Sequence, residues 1–299
     1  MRSFLSIVAN IYFRLNGYKK MITGDESFKK YLARREEENR KPVTIPSGAR
    51  FDMPCKKEII NGVETFFINK KDSKQTNVFY LHGGGYIEQP VLPHWQFIKK
   101  LVKATDCTVT VPIYKKAPEH KCRETIEWLS NFYLKTLNEY NSGKLIFMGD
   151  SAGGGLLLAF AEYLAEHNHP LPSRLIMISP WLDATMLHPD IDAMESKDPT
   201  LSFRGLLNMG LAWAGDLRTD NYLVSPIFGN IDKLPEMTLF VGEDELFLPD
   251  SIKFKNLAAE RNKKLNYYQY PKMNHAYVLY PIREARKSQS IIFKEVLSV

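Results

Sequence analysis

Leu145-Ile146-Phe147-Met148-Gly149-Asp150-Ser151-Ala152-Gly153-Gly154 decides the fold: a short apolar run stops at a glycine, a serine follows, and helical periodicity begins at once. The spacing predicts a buried strand, a sharp turn and a helix starting at Ala152. A serine on such a turn is held in a strained backbone conformation that thrusts its hydroxyl out above the sheet. Side chains at the flanking glycines would collide with neighbouring elements. The helix also aims its positive dipole end at the serine, where negative charge would develop. Gly-x-Ser-x-Gly alone is a common accident, so the weight rests on the strand–turn–helix context. A phosphate-binding loop is disfavoured, because the Lys-Ser/Thr of that motif is missing.

Upstream, Asn77 to Leu81 is a second apolar run, ending at His82-Gly83-Gly84-Gly85-Tyr86. Glycines let the backbone come close enough for N–H groups to hold an oxyanion, and losing one such donor typically costs ~10²–10³ in turnover. The assigned donors are Gly84, Gly85 and Ala152, with Gly83 as a substitute. His82 is read as a brace for the loop rather than a base.

Downstream, an acid and then a histidine are expected after successive late strands. Thr238 to Val241 leads into Gly242-Glu243-Asp244-Glu245-Leu246, and Leu265 to Tyr270 leads into Pro271-Lys272-Met273-Asn274-His275. His275 is the only histidine beyond residue 188, which makes it the base. Asp244 is chosen as the acid that would hold the imidazole tautomer and stabilise the imidazolium. Glu243, Glu245 and Asp250 compete, with Asp250 also readable as a helix cap beside Pro249. His94, His120, His167, His169 and His188 are assigned structural or surface roles.

Between these landmarks, strand signals at 58–69 (with a turn at Asn61-Gly62), 77–81, 108–114, 145–148, 175–178, 238–241 and 265–270 alternate with helical segments. The helical segments are 94–104, 119–140, 154–167, 251–262 and 283–297. That alternation implies an α/β chain with a mostly parallel sheet and helices on both faces. Residues 1 to about 50 look helical. The stretch 183–224 lacks a strand signal and exceeds an ordinary connection, so both are read as a cap on the catalytic body of residues 51–299.

Composition narrows the classes. The chain has 299 residues, 44% of them hydrophobic, enough to bury a large core. Its net charge of +6 comes from scattered Lys and Arg mixed with acids, unlike a nucleic-acid-binding stripe. Three cysteines, Cys55, Cys107 and Cys122, form no metal or redox motif and fit a reducing compartment. Phe4 to Phe13 is apolar but too short to span a bilayer and has no cleavage site. The expectation is a cytoplasmic protein without membrane insertion.

Taken together these motifs resemble the hormone-sensitive lipase-like carboxylesterases of the α/β-hydrolase fold. HGGGY at 82–86 and GDSAGG at 149–154 match, as does Tyr114-Lys115-Lys116-Ala117-Pro118-Glu119-His120. A fourth match is Ser225-Pro226, then Leu234-Pro235, then the acid loop. The resemblance covers roughly residues 75–280 and implies eight strands, a triad of Ser151, Asp244 and His275, and a cap. It departs at Asp244-Glu245-Leu246, where the family often has Asp-Pro-Leu, and at Ala276-Tyr277, where Gly-Phe is common. The implied activity is hydrolysis of small, short-chain acyl esters, without metal or cofactor; family members often pair, leaving a homodimer open. The rivals are an amidase or arylformamidase-type hydrolase, a true lipase, and a ligand-binding receptor on the same scaffold.

Overall fold

The computed structural model describes residues 2–71, 75–137 and 144–299. Eight strands form one sheet in the order β1-β2-β4-β3-β5-β6-β7-β8. β1 (Cys55–Ile60) and β2 (Val63–Ile68) make the antiparallel hairpin expected at Asn61-Gly62, where both turn residues have positive φ. The remaining strands are β3 (Asn77–Leu81), β4 (Thr108–Pro112), β5 (Leu145–Asp150), β6 (Arg174–Ile178), β7 (Glu236–Gly242) and β8 (Leu265–Tyr270). From β4 to β8 every pairing is parallel, as continuous apolar strands buried on both faces require.

Strand alternation sorts the side chains into two cores. Phe79, Leu81, Leu145 and Phe147 point to one face, which α5 (Cys122–Thr136), α6 (Ser151–Glu166) and α9 (Leu248–Glu260) cover. Val78, Tyr80, Ile146 and Met148 point to the other, under α4 (Leu92–Thr105) and α10 (Arg283–Leu297). The parallel connections put helices on both sides of the sheet and leave the carboxyl ends of its strands open for a site. The predicted helix 119–140 is seen as α5; residues 138–140 of it lie outside the described residues.

Residues before the sheet form α1 (Phe4–Leu15), α2 (Tyr18–Thr23) and α3 (Asp25–Asn39), and the long connection after β6 forms α7 (Ile191–Lys197) and α8 (Phe203–Ala214). The two groups fasten to each other. Lys19 Nζ donates to the carbonyls of Glu195 and Asp198, Thr23 Oγ1 donates to Ser202 Oγ, and Arg204 pairs with Asp25. Ile22 packs against Gly205 so closely that a Cβ there would need it to shift. No helix among the described residues is long and apolar enough to cross a membrane.

Candidate active site

β5 ends at Asp150 and α6 begins at Ser151, which sits at φ +52°, the left-handed region that costs a β-carbon-bearing residue strain. The turn is tight enough that the backbone itself excludes side chains. A Cβ on Gly153 would run into the carbonyl oxygens of Leu81 and His82, and one on Gly149 into those of Gly153 and Leu81. The strand carrying the glycine run and the strand carrying the serine are hydrogen-bonded neighbours, so both sequence motifs meet at one sheet edge.

His275 reaches this serine from the loop after β8. Its Nε2 lies 2.9 Å from Ser151 Oγ, and its ring is buried at 8% exposure. On the other side, Nδ1 donates to Glu245 Oε2 at 2.7 Å. Glu245 is fully buried, and its other oxygen accepts from the Gly242 N–H (2.6 Å) and the Ser179 hydroxyl (3.0 Å). Burial pulls the imidazole pKa down, but the hydrogen bond and charge of Glu245 outweigh it and hold His275 above its ordinary 6.5.

The structure therefore corrects the acid. Asp244, the residue the sequence favoured, does not touch His275; its carboxylate pairs with Arg2 on the protein surface. β7 ends at Gly242, and the turn that follows is tied to the end of β8 by bonds from Glu243 N–H to Tyr270 O and from Asp244 N–H to Met273 O. Glu245, one residue further along this turn, is the side chain that faces the imidazole. Asp250 does not cap α9 from outside, as the sequence suggested, but lies within its first turn.

Around the serine, Asp150 acts as a clamp. One oxygen accepts from the Tyr80 hydroxyl (2.6 Å) and the Gly83 N–H (3.1 Å), the other from His94 Nε2 (3.1 Å). This engages Gly83, whereas the N–H groups of Gly84 and Gly85 make no bond within the loop among the described residues. Gly84 (φ +114°) and Gly85 (φ +60°) use conformations in which glycine is at ease. Ala152, the third donor assigned from the sequence, follows Ser151 at the start of α6. His82 stays away from Ser151: its Nδ1 contacts Gly83 O (2.7 Å), and it stacks on Tyr114 with centroids 4.5 Å apart. Burial, then the nearby cations Lys116 and His94, keep it neutral by pushing its pKa well below 6.5.

Two supports escaped the sequence reading. His94, assigned only a structural role, holds the residue next to the serine; burial lowers its pKa, and Asp150 more than reverses this, leaving it raised. Asp198, in the long connection, accepts from Thr200 N–H and Leu201 N–H with one oxygen and from Leu246 N–H (2.9 Å) with the other. The long connection after β6 thus bolts directly onto the loop carrying Glu245. The Asp198-Pro199-Thr200 turn signal was present in the sequence, but nothing in it pointed across the molecule.

A buried aromatic cluster includes Tyr86, at the end of the glycine run. Tyr86 stacks on Trp213 (4.4 Å) and on Trp181 (5.3 Å), Trp181 on Phe247 (5.8 Å), and Met209 Sδ presses on Gly85. From the amino-terminal side, Phe13 rests on Tyr280 (5.1 Å), and Ser6 contacts Met273 two residues before the histidine.

A family model described as the alpha/beta hydrolase fold matches residues 78–279. An esterase of Acinetobacter venetianus is 30% identical over 215 residues, covering 71% of each chain. A triacylglycerol lipase of Mycobacterium tuberculosis is 27% identical over 203 residues, 68% of this chain; the match spans only 42% of the lipase. Among solved structures, a Staphylococcus aureus protein assigned as an esterase superposes with a TM-score of 0.89 at 32% identity, covering 95% of this chain and 98% of that one.

Proposed function

The chain belongs to the α/β-hydrolase fold family, and on that premise we propose that it is a hormone-sensitive lipase-like serine carboxylesterase for short-chain acyl esters that works through Ser151, His275 and Glu245. The single observation carrying this is the relay Ser151 Oγ, His275 Nε2, His275 Nδ1, Glu245 Oε2, with heavy-atom separations of 2.9 and 2.7 Å.

In the proposed reaction His275 Nε2 takes the Ser151 proton as Oγ attacks the ester carbonyl. The oxyanion is held by the N–H groups of Gly84, Gly85 and Ala152. The imidazolium, stabilised by the Glu245 carboxylate, then returns the proton to the departing alcohol, leaving an acyl group on Ser151. Water repeats the sequence, with its proton going to His275, and frees the acid. The Asp150 clamp sets the oxyanion loop against the serine turn before substrate arrives, so little reorganisation remains for the reaction itself.

The preference for short acyl groups rests on the stack of Tyr86, Trp181 and Trp213 with Met209, which fills space beside the oxyanion loop. Residues 1–50 and 183–224 serve as a cap, supported by their mutual hydrogen bonds and by the grip of Asp198 on Leu246. A reducing, cytoplasmic setting accords with three unpaired cysteines.

The test is hydrolysis of p-nitrophenyl acetate, butyrate, octanoate and palmitate by the wild type and Ser151→Ala. Activity highest on acetate and butyrate, and absent from the variant, is the expected result. A folded wild type inactive on all four, or fastest on palmitate, overturns the reading.

A further inference from the structure

A second site lies at the far end of the helix that begins with the serine. Glu162, in the penultimate turn of α6, is 97% buried by its 3% exposure, and neither carboxylate oxygen has a hydrogen-bond partner. The Gly229 backbone lies directly against the carboxyl, where any Cβ would collide with it. In front of it opens a cleft of about 470 Å³, walled by Ala165, Phe228, Ile231 and Leu257, with Glu166 and Tyr222 at its edge. The rise of 1.5 Å per residue puts Glu162 about 17 Å along α6 from Ser151, so the cleft is separate from the site described above.

The lining carries both signs, Glu162 and Glu166 against Lys233 and Arg261, but among the described residues no cation is paired with either acid. A buried, isolated carboxylate is costly: the group either neutralises by taking up a proton or acquires a counter-charge, and in both forms its oxygens call for hydrogen-bond partners. Carboxyl groups at a helix C-terminus are opposed by the dipole, and here two of them, Glu162 and Glu166, occupy the last two turns of α6. Glu166 is engaged by the Tyr222 hydroxyl. The two lining cations are engaged elsewhere: Lys233 donates to Asn168 Oδ1 (3.0 Å) and Ala165 O (3.4 Å), and Arg261 pairs with Asp232 (3.5 Å). Lys253 sits over the Phe228 ring (4.8 Å).

We propose that this cleft binds a small organic cation, a primary ammonium on a short alkyl or aryl body, with the ammonium seated on Glu162. The ammonium N–H donors match the two orphaned oxygens of Glu162, and the apolar walls take the carbon body. Without a ligand, burial raises the Glu162 pKa well above 4.5 and favours its neutral form. Seating a cation expels that proton, so binding tightens as pH rises, against a background of Glu166, Tyr163, Tyr222, Lys233, Asp232, Lys253 and Arg261.

The experiment is calorimetric titration of the full chain with butylammonium, benzylammonium, 1-butanol and butyrate at several pH values. It is run on the wild type, Glu162→Gln, and Leu257→Trp, which narrows the cleft while leaving the carboxyl in place. Protein whose Ser151 has been sulfonylated separates this cleft from the ester site. The two ammonium probes should bind the wild type and the sulfonylated protein alike, more tightly at higher pH. Glu162→Gln and Leu257→Trp should each weaken them at least tenfold. No ammonium binding, equal binding by 1-butanol, tighter binding by butyrate, loss on sulfonylation, or unchanged affinity in both variants would overturn the proposal.

Discussion

Replacing Glu245 by Gln tests the site where sequence and structure disagree. The carboxylate Oε2 and His275 Nδ1 are 2.7 Å apart. With the carboxylate and imidazolium charge centres about 4 Å apart and an effective dielectric of about 20, their attraction is about 4 kcal/mol. The imidazole is charged only as the reaction proceeds, so this energy acts on the transition state, and its loss corresponds to about a thousandfold in kcat. Gln adds a second fault: its NH₂ would donate to Nδ1, forcing the ring proton onto Nε2, which then cannot accept from Ser151. Asp244→Asn disturbs only an ion pair with Arg2 whose partners are 20% and 25% exposed. Such pairs are worth up to about 1 kcal/mol, so the expected change in kcat is below about fivefold. The assay is steady-state hydrolysis of p-nitrophenyl butyrate, with far-UV circular dichroism to establish that both variants are folded. A thousandfold loss in Asp244→Asn beside near-normal turnover in Glu245→Gln would refute the argument.

The remaining expectations follow from the same contacts. Because His275 must be neutral to accept a proton and its pKa is raised by Glu245, kcat/KM should fall on the acid side with a midpoint above 6.5. The residual activity of Glu245→Gln should have its midpoint at lower pH; a pH–rate profile for each protein decides this. Asp250 is pushed up to about 7, first by burial and then by the charge of Asp183. The folded state therefore holds its proton more tightly than the unfolded chain, and this stability is full below about pH 4 and lost as pH rises through about 7. The linkage is worth about 4 kcal/mol, so Asp250→Asn should gain stability over the wild type at pH 8 and little at pH 4, as measured by urea unfolding. Asp198→Ala leaves the Leu246 N–H unpaired in a buried loop, at a cost of about 1–3 kcal/mol. Turnover should drop more than KM changes, because the disturbed loop carries Glu245; an unchanged kcat would show that the bolt does not matter.

What was legible in the sequence was whatever the local backbone dictates. The strand ending at Asp150 and the helix starting with Ser151 follow from an apolar run and a glycine-flanked turn, and the hairpin follows from Asn61-Gly62. The meeting of Ser151 with His275 followed from chain order, since both leave the carboxyl ends of parallel strands. Choosing among Asp244, Glu245 and their neighbours was different in kind. Successive residues differ in direction, and the direction depends on the turn after β7, which backbone bonds from Glu243 and Asp244 to the β8 side fix. The Asp150–His94 pair and the Asp198–Leu246 bond each join residues about 50 positions apart, and no periodicity encodes such a partner.

The crowding at Gly149 and Gly153 has a consequence for how related chains are judged. Their hydrogen atoms face backbone carbonyls, not substrate, so purifying selection on the fold alone would preserve both glycines after catalysis had decayed. A descendant that had become a binding protein would still display most of the motif around its vanished nucleophile. Glycines there testify to ancestry; the His275 imidazole, whose Nε2 faces the nucleophile and not the backbone, is the more informative marker of a living enzyme.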